Sequence, residues 1–336
     1  MAVANNCKII GLLLNITSTL VLELNYTSLR PNIIKAHLAL FATHVIYAAN
    51  HFIAKGIMPE KVNPNTLVMF RVIGAGLLFW IIKYFIKERI AKKDFFKLAL
   101  CGLFGASLNQ LSFFHGLNLT SPIDTSIIMT AAPAVVFILS MIFLKEKVTK
   151  NKILGLSIGA LGAIGLVWYG QVAEGNSSLL GNLFIFINVV FFSLYQVIVK
   201  PLMRTYNFIT IISWVFLFGL VFLIPFGLKD MLYNTNYEAF TINTYLVISY
   251  VIVFTTFFTF LFNIYALRQV SPSVAGSYTY VQPAVTFIIV LLLSTVFNNN
   301  IYNKDINWVK IACCFLVVIG VYLISKKEKN PKGYNS

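Results

Sequence analysis

The chain has 336 residues, 58% of them hydrophobic and 11% charged, with a mean hydropathy of +0.81 and a formal net charge of +15. Soluble domains carry charge on about a quarter of their positions, so this composition cannot cover a water-facing surface and excludes a soluble globular protein. The apolar runs do not alternate with polar residues, which excludes an outer-membrane barrel too.

Counted in spans of about 20 residues, the chain reads as an all-α polytopic membrane protein with ten transmembrane helices. Residues 1–33 precede them as an N-terminal extension. Its apolar stretch Ile9–Leu22 is short, contains Asn15, ends at Glu23 and lacks a small-residue cleavage site. It reads as an interfacial arm or the product of a start codon placed too early, with an eleventh span or uncleaved signal as the alternative. The first span (36–55) carries His37, His44 and His51 at a spacing of seven, hence on one helical face, with Tyr47 and Asn50 beside them. The second (66–86) holds Arg71 about a turn and a half inside, and the third (96–117) holds Asn109, Gln110 and His115. The fourth (122–144) opens on Ser121-Pro122, contains Asp124 and has Pro133 at its middle; the fifth (152–170) is glycine-rich. Tyr195 and Gln196 lie in the sixth (180–200), Trp214 in the seventh (208–228), and the eighth covers 243–267. The ninth (272–297) opens on Ser271-Pro272 and contains Tyr278, Tyr280, Gln282 and Pro283; the tenth covers 306–325, before a basic tail, 327–336. The connections are short, and no soluble domain is inserted.

The basic charge is placed by side. With the N-terminus inside, 20 of the 26 Lys and Arg residues fall on the cytoplasmic side or in the tail, which predicts cytoplasmic N- and C-termini in a plasma or inner membrane. The charge is then a topology signal with affinity for anionic headgroups, and nucleic acid is not an expected partner.

The chain also repeats itself. Leu117–Ile138 and Leu267–Ile288 share Leu, Ser, Pro, Pro, Ala, Val, Phe and Ile in register. Those eight matches exceed the roughly two that apolar composition would give by accident. Leu38, Phe41, Val45, Ile53, Lys55 and Met58 likewise align with Leu183, Phe186, Val190, Ile198, Lys200 and Met203, and Ile164-Gly165 aligns with Ile319-Gly320. The halves are therefore 34–170 and 179–326. Five spans per half is an odd number, so the second copy is predicted to be inverted relative to the first. Cytoplasmic Lys145-Glu146-Lys147 accordingly becomes uncharged Asn298-Asn299-Asn300 on the far side.

Individual residues suggest a central polar site. Pro133 and Pro283 occupy equivalent positions and each removes a helical hydrogen bond, which makes them hinge candidates, with a packing kink as the alternative. Pro122 and Pro272 follow serines and read as helix starts; Asp124 completes a Ser-x-x-Asp cap, with a proton-relay or substrate-amine role as the alternative. No acidic pair is available inside the spans for a sodium site. The histidines read first as hydrogen-bonded links between helices, while His44 and His115 with Asp124 form the alternative proton-linked set. Substrate-binding candidates are Tyr47, Asn50, His51, Arg71, Asn109, Gln110, Tyr195, Gln196, Tyr278 and Gln282, with Trp214 and Tyr280 as a wall for apolar or cationic cargo. Arg71 has two readings: snorkelling to the outer headgroups, or a fork for a substrate carboxylate.

The run Gly116–Gly170 resembles the most recognisable segment of the EamA-type transporters of the drug/metabolite transporter superfamily. The resemblance rests on Thr120-Ser121, Pro133, Glu146 and the glycine-rich fifth helix, with Tyr47–Asn50 and Phe70-Arg71 fitting the same pattern. It covers about residues 34–326. What it implies is a ten-helix carrier of small metabolites, often an exporter of amino acids or related compounds. Its cavity would be built from helices one to four and six to nine, with five and ten peripheral. The second half lacks a counterpart of Glu146, and residues 1–33 fall outside the pattern.

No nucleotide loop, nucleophile elbow or zinc-protease motif is present, and Cys7, Cys101, Cys313 and Cys314 have no metal or redox spacing. The expectation is a secondary carrier with no catalytic residues, cofactor or metal, and a capacity to self-associate through its peripheral helices. The alternative is a sensor, an assembly subunit or an intramembrane enzyme.

Overall fold

The computed structural model describes residues 33–145, 150–170 and 178–296, with Ala312, Phe315, Leu316, Ile319, Gly320 and Leu323 beyond them. The leader stretch Ile9–Leu22, Glu146, Asn298–Asn300, Cys313-Cys314, most of the tenth predicted span and the basic tail lie outside the described residues. Among the described residues the structure is entirely helical: α1 (Ile33–Lys55), α2 (Pro64–Tyr84), α3 (95–119), α4 (Pro122–Leu144), α5 (Lys150–Gly170), α6 (Leu179–Leu202), α7 (Phe208–Lys229), α8 (Ile242–Gln269) and α9 (272–295). These fall on the first nine predicted spans to within a few residues. Among the described residues six stretches are long and apolar enough to cross a bilayer: α2, α4, α6, α7 extended to Asn234, α8 and Pro272–Leu293. In α1 and α3 the apolar run is diluted by histidine, asparagine and glutamine, and these residues turn inward.

The starts of the helices are written locally. Asn63, Ser121, Ser178, Asn207, Thr241 and Ser271 each accept a backbone N–H of the first turn, and Pro64, Pro122 and Pro272 occupy the first helical position, where no N–H is needed. The outer surface is apolar, with Leu38, Phe41, Leu77, Ile142, Leu183 and Phe186 between 44% and 64% exposed. That belt suits hydrocarbon and would be untenable in water.

The helices pack in matched pairs. α1 lies on α8 and α9 while α6 lies on α3 and α4; α2 touches α8 while α7 touches α3; α2 packs on α7, and α4 on α9. Close approach depends on glycine at some crossings. A Cβ on Gly105 in α3 would sit 2.5 Å from Cδ2 of Tyr195 in α6. α2 and α7 run antiparallel, as the polar contacts at their ends require. At one end the Glu88 carboxylate accepts from Asn207 N at 3.0 Å, and the Tyr206 hydroxyl donates to Asp94 at 2.7 Å. At the other, Asn65 Nδ2 donates to Asp230 at 2.6 Å, and the Thr66 and Thr235 hydroxyls meet at 2.8 Å.

Irregular turns also occur in pairs. α3 is π-helical over Leu103–Ser107, and α8 over Val251–Phe258. The continuous kinked helices expected at Pro133 and Pro283 are instead interrupted. α4 divides into Pro122–Met129 and Ala132–Leu144, with Thr130 N and Ala131 N bonded three residues back, each at 3.0 Å. α9 tightens to a 3₁₀ turn over Tyr278–Tyr280 before resuming at Val281. The cause is the proline ring, which lacks an N–H and crowds the carbonyl four residues earlier, so the preceding turn tightens.

Two lysines close the ends of equivalent helices. Lys55 Nζ donates to the carbonyls of Thr120 at 2.6 Å, Leu117 at 2.9 Å and Asn118 at 3.4 Å, at the C-terminus of α3. Lys200 Nζ donates to the Leu267 carbonyl and, at 2.7 Å, to that of Val270, at the C-terminus of α8. An ammonium satisfies carbonyls that a helix end leaves unpaired and complements the negative end of its dipole.

Candidate functional site

The polar inward faces enclose a cavity bounded by α1, α2, α3, α4, α6, α8 and α9. A water molecule can reach about 50 Å³ of it, room for a few waters. From α1 come His44, Tyr47, Asn50 and His51; from α2, Arg71; from α3, Asn109, Gln110 and Phe113. The opposite wall is Met129 and Ala132 of α4, Asn188, Val189 and Phe192 of α6, Thr255 of α8, and Thr279 and Gln282 of α9. Among the described residues none of α5 or α7 lines it.

Arg71 is 2% exposed, so it is interior, and the snorkelling reading is corrected. Its Nε donates to Thr256 Oγ1 at 2.7 Å and its Nη2 to the Thr255 carbonyl at 3.3 Å, while its guanidinium carbon lies 4.7 Å from the centre of the Phe114 ring. Tyr47 of α1 lines the same cavity.

The three α1 histidines each reach a facing helix. His37 Nδ1 pairs with the Tyr278 hydroxyl at 2.7 Å, His44 Nδ1 with Gln282 Nε2 at 2.8 Å, and His51 Nδ1 with Ser126 Oγ at 3.0 Å. Since an amide nitrogen only donates, His44 Nδ1 is the acceptor as oriented and the ring proton sits on Nε2. Asn109 and Asn188 form a reciprocal clamp between α3 and α6: Nδ2 of Asn188 donates to Asn109 O at 2.9 Å, and Nδ2 of Asn109 to Asn188 O at 3.3 Å. Several buried atoms around the cavity have no hydrogen-bond partner among the described residues: His44 Nε2, His51 Nε2, Asn50 Oδ1, Asn188 Oδ1 and Gln282 Oε1. Such atoms are costly to bury unless something else meets them.

Of the residues nominated for substrate contact, the structure brings together Tyr47, Asn50, His51, Arg71, Asn109, Gln110 and Gln282. The others stand outside the lining. Tyr195 fills the space over Gly105, and Gln196 is buried beside it in α6. Tyr278 bonds His37, and Tyr280 packs where a Cβ on Gly159 of α5 would lie 2.3 Å from its ring. Trp214 meets Phe95 at 4.9 Å and Trp80 at 5.5 Å between ring centres. Of the proton-linked set, His44 lines the cavity. His115 bonds Asn65 at 2.8 Å, away from it, and Asp124 donates its backbone N–H to the cap Ser121 at 3.0 Å. Among the described residues no group of three or more His, Cys, Asp or Glu is placed to hold a metal.

Sequence reasoning passed over Asn188, Phe192, Met129, Ala132 and Thr279. A signal for most of them existed. At the offset relating Leu38 to Leu183, His44 matches Val189 and Tyr47 matches Phe192; at that relating Pro133 to Pro283, Met129 matches Thr279 and Ala132 matches Gln282. All eight line the cavity.

The sequence model of the EamA-like transporter family matches residues 34–168 and again 179–326. The chain belongs to the EamA-like transporter family. Its relatives include the uncharacterized transporter YetK of Bacillus subtilis (strain 168), 24% identical over 304 residues, 89% of each chain. An uncharacterized transporter of Archaeoglobus fulgidus is 27% identical over 267 residues, 79% of this chain and 90% of that one. The WAT1-related protein At2g39510 of Arabidopsis thaliana is 32% identical over 111 residues, 32% of this chain and 30% of the other. A solved crystal structure superposes with a TM-score of 0.64 at 17% identity over 86% of this chain and 95% of that one, which speaks for the fold alone. This EamA-like protein is thus a multi-pass membrane protein of a transporter family, whose cargo class is small molecules.

Proposed function

We propose that the protein is a secondary carrier of small metabolites, amino acids or related compounds, which it exports across the plasma or inner membrane by alternating access. In this reading the halves 34–170 and 179–326 are inverted repeats of five helices each, with residues 1–33 an extension, 327–336 a tail, and both termini cytoplasmic. The observation that carries the reading is the cavity, whose walls include four pairs of repeat-equivalent positions. Further support comes from the packing, which is unchanged when α1, α2, α3 and α4 are exchanged for α6, α7, α8 and α9. The antiparallel contact of α2 with α7 and the paired lysine contacts point the same way. The interruptions near Pro133 and Pro283 supply matched flexible turns beside the cavity, where a rocking motion needs them.

Two measurements test this. In proteoliposomes, a carrier exchanges labelled metabolite for unlabelled metabolite across the membrane; absence of counterflow with every compound enriched outside expressing cells removes the assignment. Cysteines introduced at Ser121 and Ser271 should react from opposite compartments. Reaction of both from one side removes the inversion.

A further inference from the structure

The charge inside the cavity is unbalanced. Among the described residues that line it, Arg71 is the only Lys or Arg and none is Asp or Glu. Of the five N–H groups of Arg71, one on Nε donates to Thr256 Oγ1 and one on Nη2 to the Thr255 carbonyl, and both acceptors are neutral. A guanidinium held in hydrocarbon against neutral acceptors and an aromatic face is an incomplete site. Buried charge is stabilised by an opposite charge with fitting geometry, and arginine's planar fork fits a carboxylate. The other lining groups divide into an apolar wall, with Phe113, Val189 and Phe192, and neutral polar atoms such as Gln282 Oε1 and His44 Nε2. None of these carries the formal negative charge that would hold an ammonium beside Arg71.

Building on the carrier reading, we propose that the cargo is a monoanion: an organic acid with one carboxylate, an apolar body and no ammonium. The carboxylate sits on the guanidinium of Arg71, and the body lies along Phe113 and Phe192. Within amino acids and related compounds this selects the deaminated acids over the zwitterions. A zwitterion would neutralise Arg71 only to bring a second unpaired cation into the same enclosure, whereas a monoanion leaves the cavity neutral. The neutral acceptor oxygens suit a hydroxyl on such an acid.

The test uses the full chain, purified in detergent, and two series of matched compounds. One is phenylacetate, phenylalanine, phenylacetamide and phenethylamine; the other is 4-methylpentanoate, leucine, 4-methylpentanamide and isoamylamine. Affinities are taken from ligand-dependent thermal stabilisation. The acid of at least one series is expected to bind about tenfold or more tighter than its zwitterion and amide, as for a gained charge-assisted bond, with the amine weakest. Arg71→Gln should abolish the advantage of the acid, bringing acid and amide to similar affinities. The proposal is overturned if a zwitterion, amide or amine matches the acid in both series, if no acid binds, or if a folded Arg71→Gln protein keeps the preference. Should that variant fail to fold, the ranking on the parent protein decides alone. Counterflow of the tightest binder separates the two readings. Counterflow of a zwitterion or amine keeps the carrier and removes the monoanion; an acid that binds but does not exchange does the reverse.

Discussion

Replacing Lys55 by Met keeps the length and apolar character of the side chain and deletes the ammonium at the end of α3. Three contacts go, to Thr120, Leu117 and Asn118 at 2.6, 2.9 and 3.4 Å, the last too long to count for much. Hydrogen bonds from a charged donor are each worth about 1.5–3 kcal/mol when buried, and the helix-end charge adds up to about 1 kcal/mol. Lys55 is only half-buried, so solvent screens the interaction, and a net loss of about 2 kcal/mol is expected. For a cooperative unit of this size that lowers the melting temperature by about 3 °C. Lys200→Met removes the equivalent contacts at α8 and should cost a similar amount. The two lysines share no partner, so the double variant should lose about 4 kcal/mol. Thermal unfolding in one detergent, followed by circular dichroism, reads the parent and the three variants. If both single variants melt within about 1 °C of the parent and the double is no worse, the lysines do not stabilise the helix ends and the reasoning from these distances is wrong.

Pro133→Ala and Pro283→Ala should let α4 and α9 run on as continuous helices, raising thermal stability slightly while slowing counterflow severalfold; parental rates in both would end the hinge argument. Gly105→Ala places a methyl 2.5 Å from the fully buried ring of Tyr195 and should cost about 1–3 kcal/mol, read as a lower melting temperature; an unchanged melt would mean α3 and α6 are not held as close as described. Each bond of the reciprocal clamp runs from a side chain to the other residue's backbone carbonyl, so Asn109→Leu and Asn188→Leu should each lower thermal stability by about 0.6–1.7 kcal/mol, as for interhelical polar contacts in membranes, with nearly additive losses; unchanged melting in both would argue against the clamp.

Much of the fold is legible along the chain because the membrane makes it local. A run of about 20 apolar residues must form a helix, since hydrocarbon offers its backbone no other partner, and Ser121-Pro122 or Ser271-Pro272 marks the start with side chains one turn away. The duplication is legible for the same reason, being a property of residue order. Pro133 and Pro283 announced a disturbance in α4 and α9. The form it took, an interruption with tightened turns, became visible only in the backbone hydrogen bonds.

Membership of the cavity was another matter. In helices that are apolar nearly all round, periodicity does not say which face points inward. Asn188 lines the cavity while Tyr195 and Gln196, two turns along the same helix, do not; Gln282 lines it while Tyr280, two residues earlier, packs on α5. Arg71 was equally compatible with headgroups and interior, and its burial followed only from α2 lying between α7 and α8. Residue order by itself determined membrane residence, the helix positions, their capped ends and the match of Leu117–Ile138 to Leu267–Ile288, because each arises from neighbours within a turn or from matching one stretch to another. Which polar groups converge, and that their sum is one arginine without a carboxylate, was decided by tertiary packing, because helix rotation is set by contacts between residues more than a hundred positions apart.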